Sequence, residues 1–259
     1  MIVPGISSAC LYPCPTEEAV GYLTDHGVNH IEIFFNSPSE LQKSFTDALP
    51  LNGATVHAIH PFTSAIEPLF FFTTYERRFY DALELYKSYF CAAQNLNCHQ
   101  MVLHGDKVEK HTIDDEAYFE RVAKIREAAR PYGVEVLQEN LSIYRCRTPD
   151  FVRRMRAYLH DDIGFVFDLK QAVRSGADPM DMIDTMGPCL KHIHISDHDD
   201  GGHDCLIPGC GNFDYHPLLD KLAAISYDGA MLIEVYRHNY GRPEELLDGL
   251  AFLKNLIQE

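Results

Sequence analysis

Histidines and carboxylates stand at the ends of a series of short apolar runs, and their types suit metal binding and proton transfer. HAIH ends at His60 and MVLH at His104; VLQE ends at Glu139, FVFD at Asp168, KHIH at His194 and LIE at Glu234. Ionised Glu139, Asp168 and Glu234 gathered in one narrow apolar mouth would repel one another and raise their pKa values unless a cation balanced them. Three carboxylates with one imidazole form a hard, oxygen-rich donor set, for which Mn²⁺, Mg²⁺ or Zn²⁺ is the fitting ion. The alternative for the same residues is a network of protonated carboxyls and structural ion pairs, with each histidine buried neutral.

For these side chains to meet, the elements carrying them must end on one side of the molecule. Eight apolar, β-branched runs can supply them: 2–11, 30–35, 54–60, 100–104, 134–139, 163–168, 192–196 and 230–236. Helical candidates lie between them. One opens at Thr16 and closes at Gly27, and one runs from Thr74 to about Leu96, with Phe79, Leu83, Tyr86 and Phe90 on one face. Thr148-Pro149 reads as a cap followed by proline at the first helical position, and Pro243 starts a last helix with Leu246, Leu250, Leu253 and Ile257 inward. Strands alternating with helices along the whole chain predict an α/β fold, a single (β/α)8 barrel domain over residues 1–259. A dinucleotide-binding sheet is not indicated, because Gly5 has no GxGxxG around it. In such a barrel the active site lies at the C-terminal strand ends. Period-two alternation then points His192 and His194 inward if Ile193 and Ile195 face the helices.

Composition bounds the function. The chain of 259 residues is 46% hydrophobic and 23% charged, the profile of a globular protein. Its net charge of −16 opposes binding to a phosphate backbone, so a nucleic-acid partner is not expected. No apolar run approaches the roughly 18 residues of a membrane span, and MIVPGISSAC lacks the basic start of a signal peptide, so a cytoplasmic location is expected. The eight cysteines, including Cys10, Cys14, Cys205 and Cys210, form no paired CxxC motif and are expected as reduced thiols. No organic cofactor is expected.

At these residues the sequence resembles the xylose isomerase-like TIM barrel superfamily, which holds sugar isomerases and epimerases and also the endonuclease IV type of abasic-site endonuclease (AP endonuclease family 2). The resemblance spans essentially the whole chain. It is carried by the Glu139-Asn140 pair, DLKQAVRSG from Asp168, HIHISD from His192, PGCGNFDY over 208–215 and IEVY from Ile233. By similarity to the ketose 3-epimerase branch, Glu139, Asp168, His194 and Glu234 hold one metal, and Glu139 and Glu234 act as the acid–base pair. Removing a proton beside a carbonyl creates an enediolate, whose charge a cation stabilises. Two carboxylates on opposite faces of a substrate then invert a centre or shift the carbonyl. The resemblance thus implies a metal-dependent isomerase or epimerase of a small sugar or sugar-like keto or polyol compound, with an inosose-type dehydratase as an alternative.

The endonuclease branch implies another class, a phosphodiesterase with a multinuclear zinc site. His60 and His104 match its first-metal histidines, but Asp168-Leu-Lys-Gln171 has an amide where that branch has a histidine, and the loop DHDDGGHDC gives no clean Asp-x-His pair. A barrel that binds sugar without turnover is a third class, which an intact carboxylate set disfavours. His60 and His104 either bind a second metal bridged by Glu139 or contact substrate hydroxyls. Lys170, Gln171 and Arg237 are candidates for reading a substrate carboxylate, phosphate or hydroxyl; for Lys170 and Arg237 the alternative is a solvated loop cation. His203 and Cys205 are candidates for a lid. The apolar residues 69–72 with Tyr75–Arg78 beyond them either wall the substrate, pack in the core or form the contact of a homo-oligomer.

Overall fold

The computed structural model describes residues 1–258. Eight parallel strands close into a barrel in chain order: β1 Val3–Ser7, β2 His30–Phe34, β3 Thr55–His60, β4 Gln100–Leu103, β5 Glu135–Glu139, β6 Gly164–Asp168, β7 Leu190–Ile195 and β8 Ala230–Ile233. β8 closes the ring on β1, with Ala230 opposite Val3 and Ile233 opposite Ile6. Each of the eight apolar runs coincides with one strand, β7 starting two residues ahead of its run at Leu190. The first ends sooner than its apolar run, because the Ser7 hydroxyl accepts the Ala9 N–H and turns Ser8–Leu11 into a 3₁₀ helix.

The helices of eight residues or so and longer are α1 Thr16–Asp25, α2 Glu76–Asn95, α3 Asp115–Ala129, α4 Pro149–Tyr158, α5 Leu169–Ser175, α6 Pro179–Met186, α7 His216–Ala224 and α8 Glu244–Gln258. The alternation fails once. After β2 the helix shrinks to the single turn Lys43–Thr46, where Pro38, Pro50 and Gly53 leave no uninterrupted amphipathic stretch. Elsewhere the expected faces are buried: Phe79, Tyr86 and Phe90 on α2, and Leu246, Leu250 and Leu253 on α8. Thr148 caps α4 by accepting the Phe151 N–H. Of the aromatic run, Phe71 and Phe72 belong to the core, while Leu69 is exposed.

Strand parity sorts side chains between two environments. Ile31, Ile33, Ile193, Ile195, Met231 and Ile233 face outward and join the core under the helices. Ala58, Val102, Leu137 and Val166 form a separate apolar layer from β3, β4, β5 and β6. Full burial of a valine or leucine stabilises by about 1.5–3 kcal/mol, so this layer plugs the barrel beneath the polar mouth. Among the described residues no helix is long and apolar enough to cross a membrane, and none of the eight cysteines is in a disulfide.

The turn that carries His104 depends on a glycine. Gly105 has φ +87°, and a Cβ there would stand 2.1 Å from the Tyr118 hydroxyl. That hydroxyl donates to Gln138 Oε1 at 2.6 Å, and Gln138 Nε2 donates to the His104 carbonyl at 2.9 Å. The glycine thus permits the contact that ties the end of β4 to β5. Gly105→Ala is expected to lower the unfolding free energy by about 2–3 kcal/mol through overpacking and backbone strain. Urea denaturation at unchanged m-value measures this; a loss below about 0.5 kcal/mol would show that the turn has slack.

Candidate active site

Six strand-end side chains, His194 among them, converge at the barrel mouth. His194 Nδ1 lies 3.0 Å from Glu139 Oε1, 3.5 Å from Glu234 Oε2 and 3.8 Å from Asp168 Oδ2. Glu139, Asp168, His194 and Glu234 each offer one donor atom, all within 4.8 Å of one another. His60, His104 and Glu139 form a second such group, in which the two imidazoles face each other with Nε2 atoms 3.0 Å apart. Glu139 belongs to both groups. Its Oε2 is buried 3.2 Å from His104 Nε2, yet completes no hydrogen bond among the described residues.

Local folding aims these atoms. Asp168 caps α5, accepting the Gln171 N–H on Oδ1 at 3.0 Å, which leaves Oδ2 turned toward the cluster. Asn140 fixes the same strand end, accepting the Asp168 N–H at 2.7 Å and donating to the Asp168 carbonyl at 3.0 Å. His194 is gripped from below, its Nε2 lying 3.0 Å from Glu32 Oε2, while Ser7 donates to Glu32 Oε1 at 2.8 Å. An imidazole held this way has its ring plane set by the carboxylate behind it.

The electrostatics follow from burial working against pairing. Burial opposes the charge on Glu32, but the imidazoles of His194 and His192 outweigh it and hold the carboxyl well below its ordinary range. Burial likewise opposes ionisation of Glu139, and the neighbouring imidazoles of His104 and His194 overcome it. Burial disfavours a charged His194, yet Glu234 and Glu32 lift its pKa well above the usual histidine value. Asp168 goes the other way, raised to about 7 chiefly by burial, with Lys170 opposing and Glu139 and Glu234 adding to the rise. With Glu32, Glu139, Asp168 and Glu234 ionised, the charges of Lys170, His194 and His104, whose pKa Glu139 lifts against burial, leave one negative charge uncompensated. That excess, the unbonded Glu139 oxygen and the donor set fit a divalent cation.

Glu139 and Glu234 line one cavity of about 210 Å³, with His60, His104 and Gln171 and the walls Tyr12, Phe34, Leu141 and Tyr236. A larger groove of about 440 Å³ at the strand beginnings is lined by Arg126, Arg130, Glu135 and Asp162, whose charges pair with one another. Of the remaining candidates, only Gln171 lines the cavity of Glu139 and Glu234. Lys170 is not a solvated loop residue: it is 2% exposed, and its ammonium binds Asp168 and, at 2.5 Å, Glu234. Gln171 turns its carbonyl to the Ser142 N–H and hydroxyl. Arg237 donates to the carbonyls of Tyr240 and Gly241 away from the cavity. His203 is 68% exposed on Asp199, and Cys205 is buried, so neither lines the cavity.

Sequence reasoning missed Glu32 and Glu67. The signal for Glu32 was present, since a carboxylate between Ile31 and Ile33 must point into the barrel. Glu67 sits outside any strand, fully buried, accepting the Gly105 N–H at 2.7 Å and the Tyr86 hydroxyl at 2.9 Å. Burial pushes its pKa up to about 7, against the lowering influence of His104 and those two donors. A carboxyl raised from 4.5 in the unfolded chain to about 7 in the fold has its full stabilising effect below 4.5 and loses it as pH rises toward 7. Glu67→Gln removes that loss. Relative to the parent chain, the variant is expected to gain up to about 3 kcal/mol between pH 4.5 and 8. Paired urea melts across that range measure the difference; a pH-independent difference would contradict the assigned titration.

Comparison with known proteins agrees with this architecture. The family described as xylose isomerase-like TIM barrel matches residues 20–256. An inosose dehydratase of Lacticaseibacillus casei is 25% identical over 49% of this chain and 52% of its own length. An uncharacterised protein of Methanocaldococcus jannaschii is 30% identical over 45% of this chain, so the chain spans about half the length or less of these curated relatives, here 42%. An inosose isomerase of Bacillus velezensis is 24% identical over 83% of this chain and 81% of its own. Among solved structures, a D-tagatose 3-epimerase-like protein superposes with TM-score 0.80 at 20% identity, covering 98% of this chain and 97% of that one. The IolI protein with a zinc atom superposes with TM-score 0.70 at 17% identity, covering 98% and 96%. The parallel barrel closed in chain order and the match over residues 20–256 establish that this chain belongs to the xylose isomerase-like TIM barrel family.

Proposed function

We propose that this protein is a metal-dependent isomerase or epimerase of a small sugar or sugar-like keto or polyol compound. The observation that carries the reading is the pair Glu139 and Glu234, two carboxylates facing one cavity with Asp168 and His194 beside them. Glu139, Asp168, His194 and Glu234 would hold one divalent ion, Mn²⁺, Zn²⁺ or Mg²⁺. When bound, it supplies a fixed positive charge beside the substrate oxygens on which negative charge develops.

The chain's own residues do the rest. Glu139, held ionised by its histidine neighbours, takes the proton from the carbon beside the carbonyl, and Glu234 serves the opposite face. His60 and His104 offer ring nitrogens to substrate hydroxyls from the other side of Glu139. Tyr12, Phe34, Leu141 and Tyr236 wall the cavity with apolar surface, which limits water beside the reacting carbon. At about 210 Å³ the cavity is below the ~300–1,000 Å³ of drug-sized sites, in keeping with a small polar substrate.

A dehydratase using the same base is the second reading, favoured by the match to an inosose dehydratase. A zinc phosphodiesterase receives less support. The Asp197 carboxylate accepts N–H groups of His198, Gly209, Gly211 and Phe213, so it organises the 208–213 turn rather than a further metal site. The net charge of −16 also opposes a nucleic-acid substrate.

Incubation with ketoses and inososes in deuterated solvent tests the proposal. Metal-dependent incorporation of deuterium at carbon is expected, reduced by about 10²–10⁴-fold in Glu139→Gln. Undiminished incorporation in that variant, or none with any substrate in the metal-loaded protein, would contradict the assignment; a dehydrated product would select the second reading.

A further inference from the structure

The ammonium of Lys170 is placed on the atoms that face the centre of the carboxylate cluster. It binds Asp168 Oδ2 and lies 2.5 Å from Glu234 Oε2, the same two oxygens that approach His194 Nδ1 at 3.8 and 3.5 Å. It is not held there by solvent exclusion alone, since a buried ammonium requires carboxylate partners and Asp168 and Glu234 supply two. It also has a place to go: the Tyr236 ring centroid is 5.7 Å away, and Tyr236 lines the cavity beside Glu234.

We propose that Lys170 is a built-in competitor for the divalent ion, neutralising Asp168 and Glu234 in the metal-free protein and yielding those oxygens when the ion enters. The inference rests on the metal reading given above and adds that this lysine sets the ion's affinity. An ammonium and a divalent cation drawn to the same two oxygens repel each other strongly in a buried site. Ion entry therefore has to move the ammonium toward Tyr236, and the work of moving it weakens binding.

Zn²⁺ alone is the probe, titrated against a chelating indicator into the parent protein and Lys170→Gln, with folding checked by circular dichroism. Gln keeps an N–H donor for the carboxylates and removes the charge. The variant is expected to bind Zn²⁺ at least ten-fold more tightly. Equal or weaker binding would overturn the inference and leave the metal reading standing, whereas a parent and variant that both fail to bind Zn²⁺ would overturn both. A second measurement needs no variant. In protein labelled with ¹⁵N-lysine, the buried Nζ resonance is expected to shift on addition of one equivalent of Zn²⁺; an unchanged resonance in Zn²⁺-bound protein contradicts displacement.

Discussion

The constraint on which the rest of this structure depends is the crowding of negative charge at the mouth of a narrow, apolar barrel. Glu32, Glu139, Asp168 and Glu234 are all drawn into a space lined below by Ala58, Val102, Leu137 and Val166. Burial alone would drive these carboxyls to hold their protons. The surroundings answer with His192 and His194 under Glu32, His104 beside Glu139 and Lys170 against Asp168 and Glu234. These partners leave the four carboxylates with an excess of negative charge, the basis of the proposed cation site.

Much of the surrounding structure serves to keep the carboxylates from relaxing apart. Asp168 spends one oxygen on capping α5, and Asn140 clamps its backbone from the neighbouring strand. Glu32 fixes the far nitrogen of His194 and is itself fixed by Ser7. On the other flank, Glu67 and Gln138 hold the backbone around His104 and Gly105. Each device uses a backbone group or a buried polar partner, so the donor atoms are positioned before any ligand arrives. This is preorganisation in the sense that matters for catalysis, because little has to reorient as charge develops.

The barrel and the converging strand ends were legible in the sequence because both rest on periodicity. Short β-branched runs alternate with helical stretches, and parity alone separates His192 and His194 from Ile193 and Ile195. What was not legible depends on distances across the barrel. Nothing local says that Lys170, in the first turn of α5, folds back onto Asp168 and Glu234 rather than pointing to solvent. Glu67 opens the single helical turn Glu67–Phe70, too short to carry a periodic signal, and its burial is set by Tyr86 and Gly105 from elsewhere in the chain. His203 precedes the Pro208-Gly209 turn as a lid candidate, and Arg237 stands just past Glu234. Their side chains turn to Asp199 and to nearby carbonyls, an outcome decided by loop geometry.

The central claim is that the four donors on β5, β6, β7 and the end of β8 form one divalent-cation site. Anomalous scattering from crystals soaked in Mn²⁺ tests it most directly. The account predicts a strong peak about 2.0–2.2 Å from oxygens of Glu139, Asp168 and Glu234 and from His194 Nδ1. A peak held only by His60 and His104, or no peak at the barrel mouth, would contradict it.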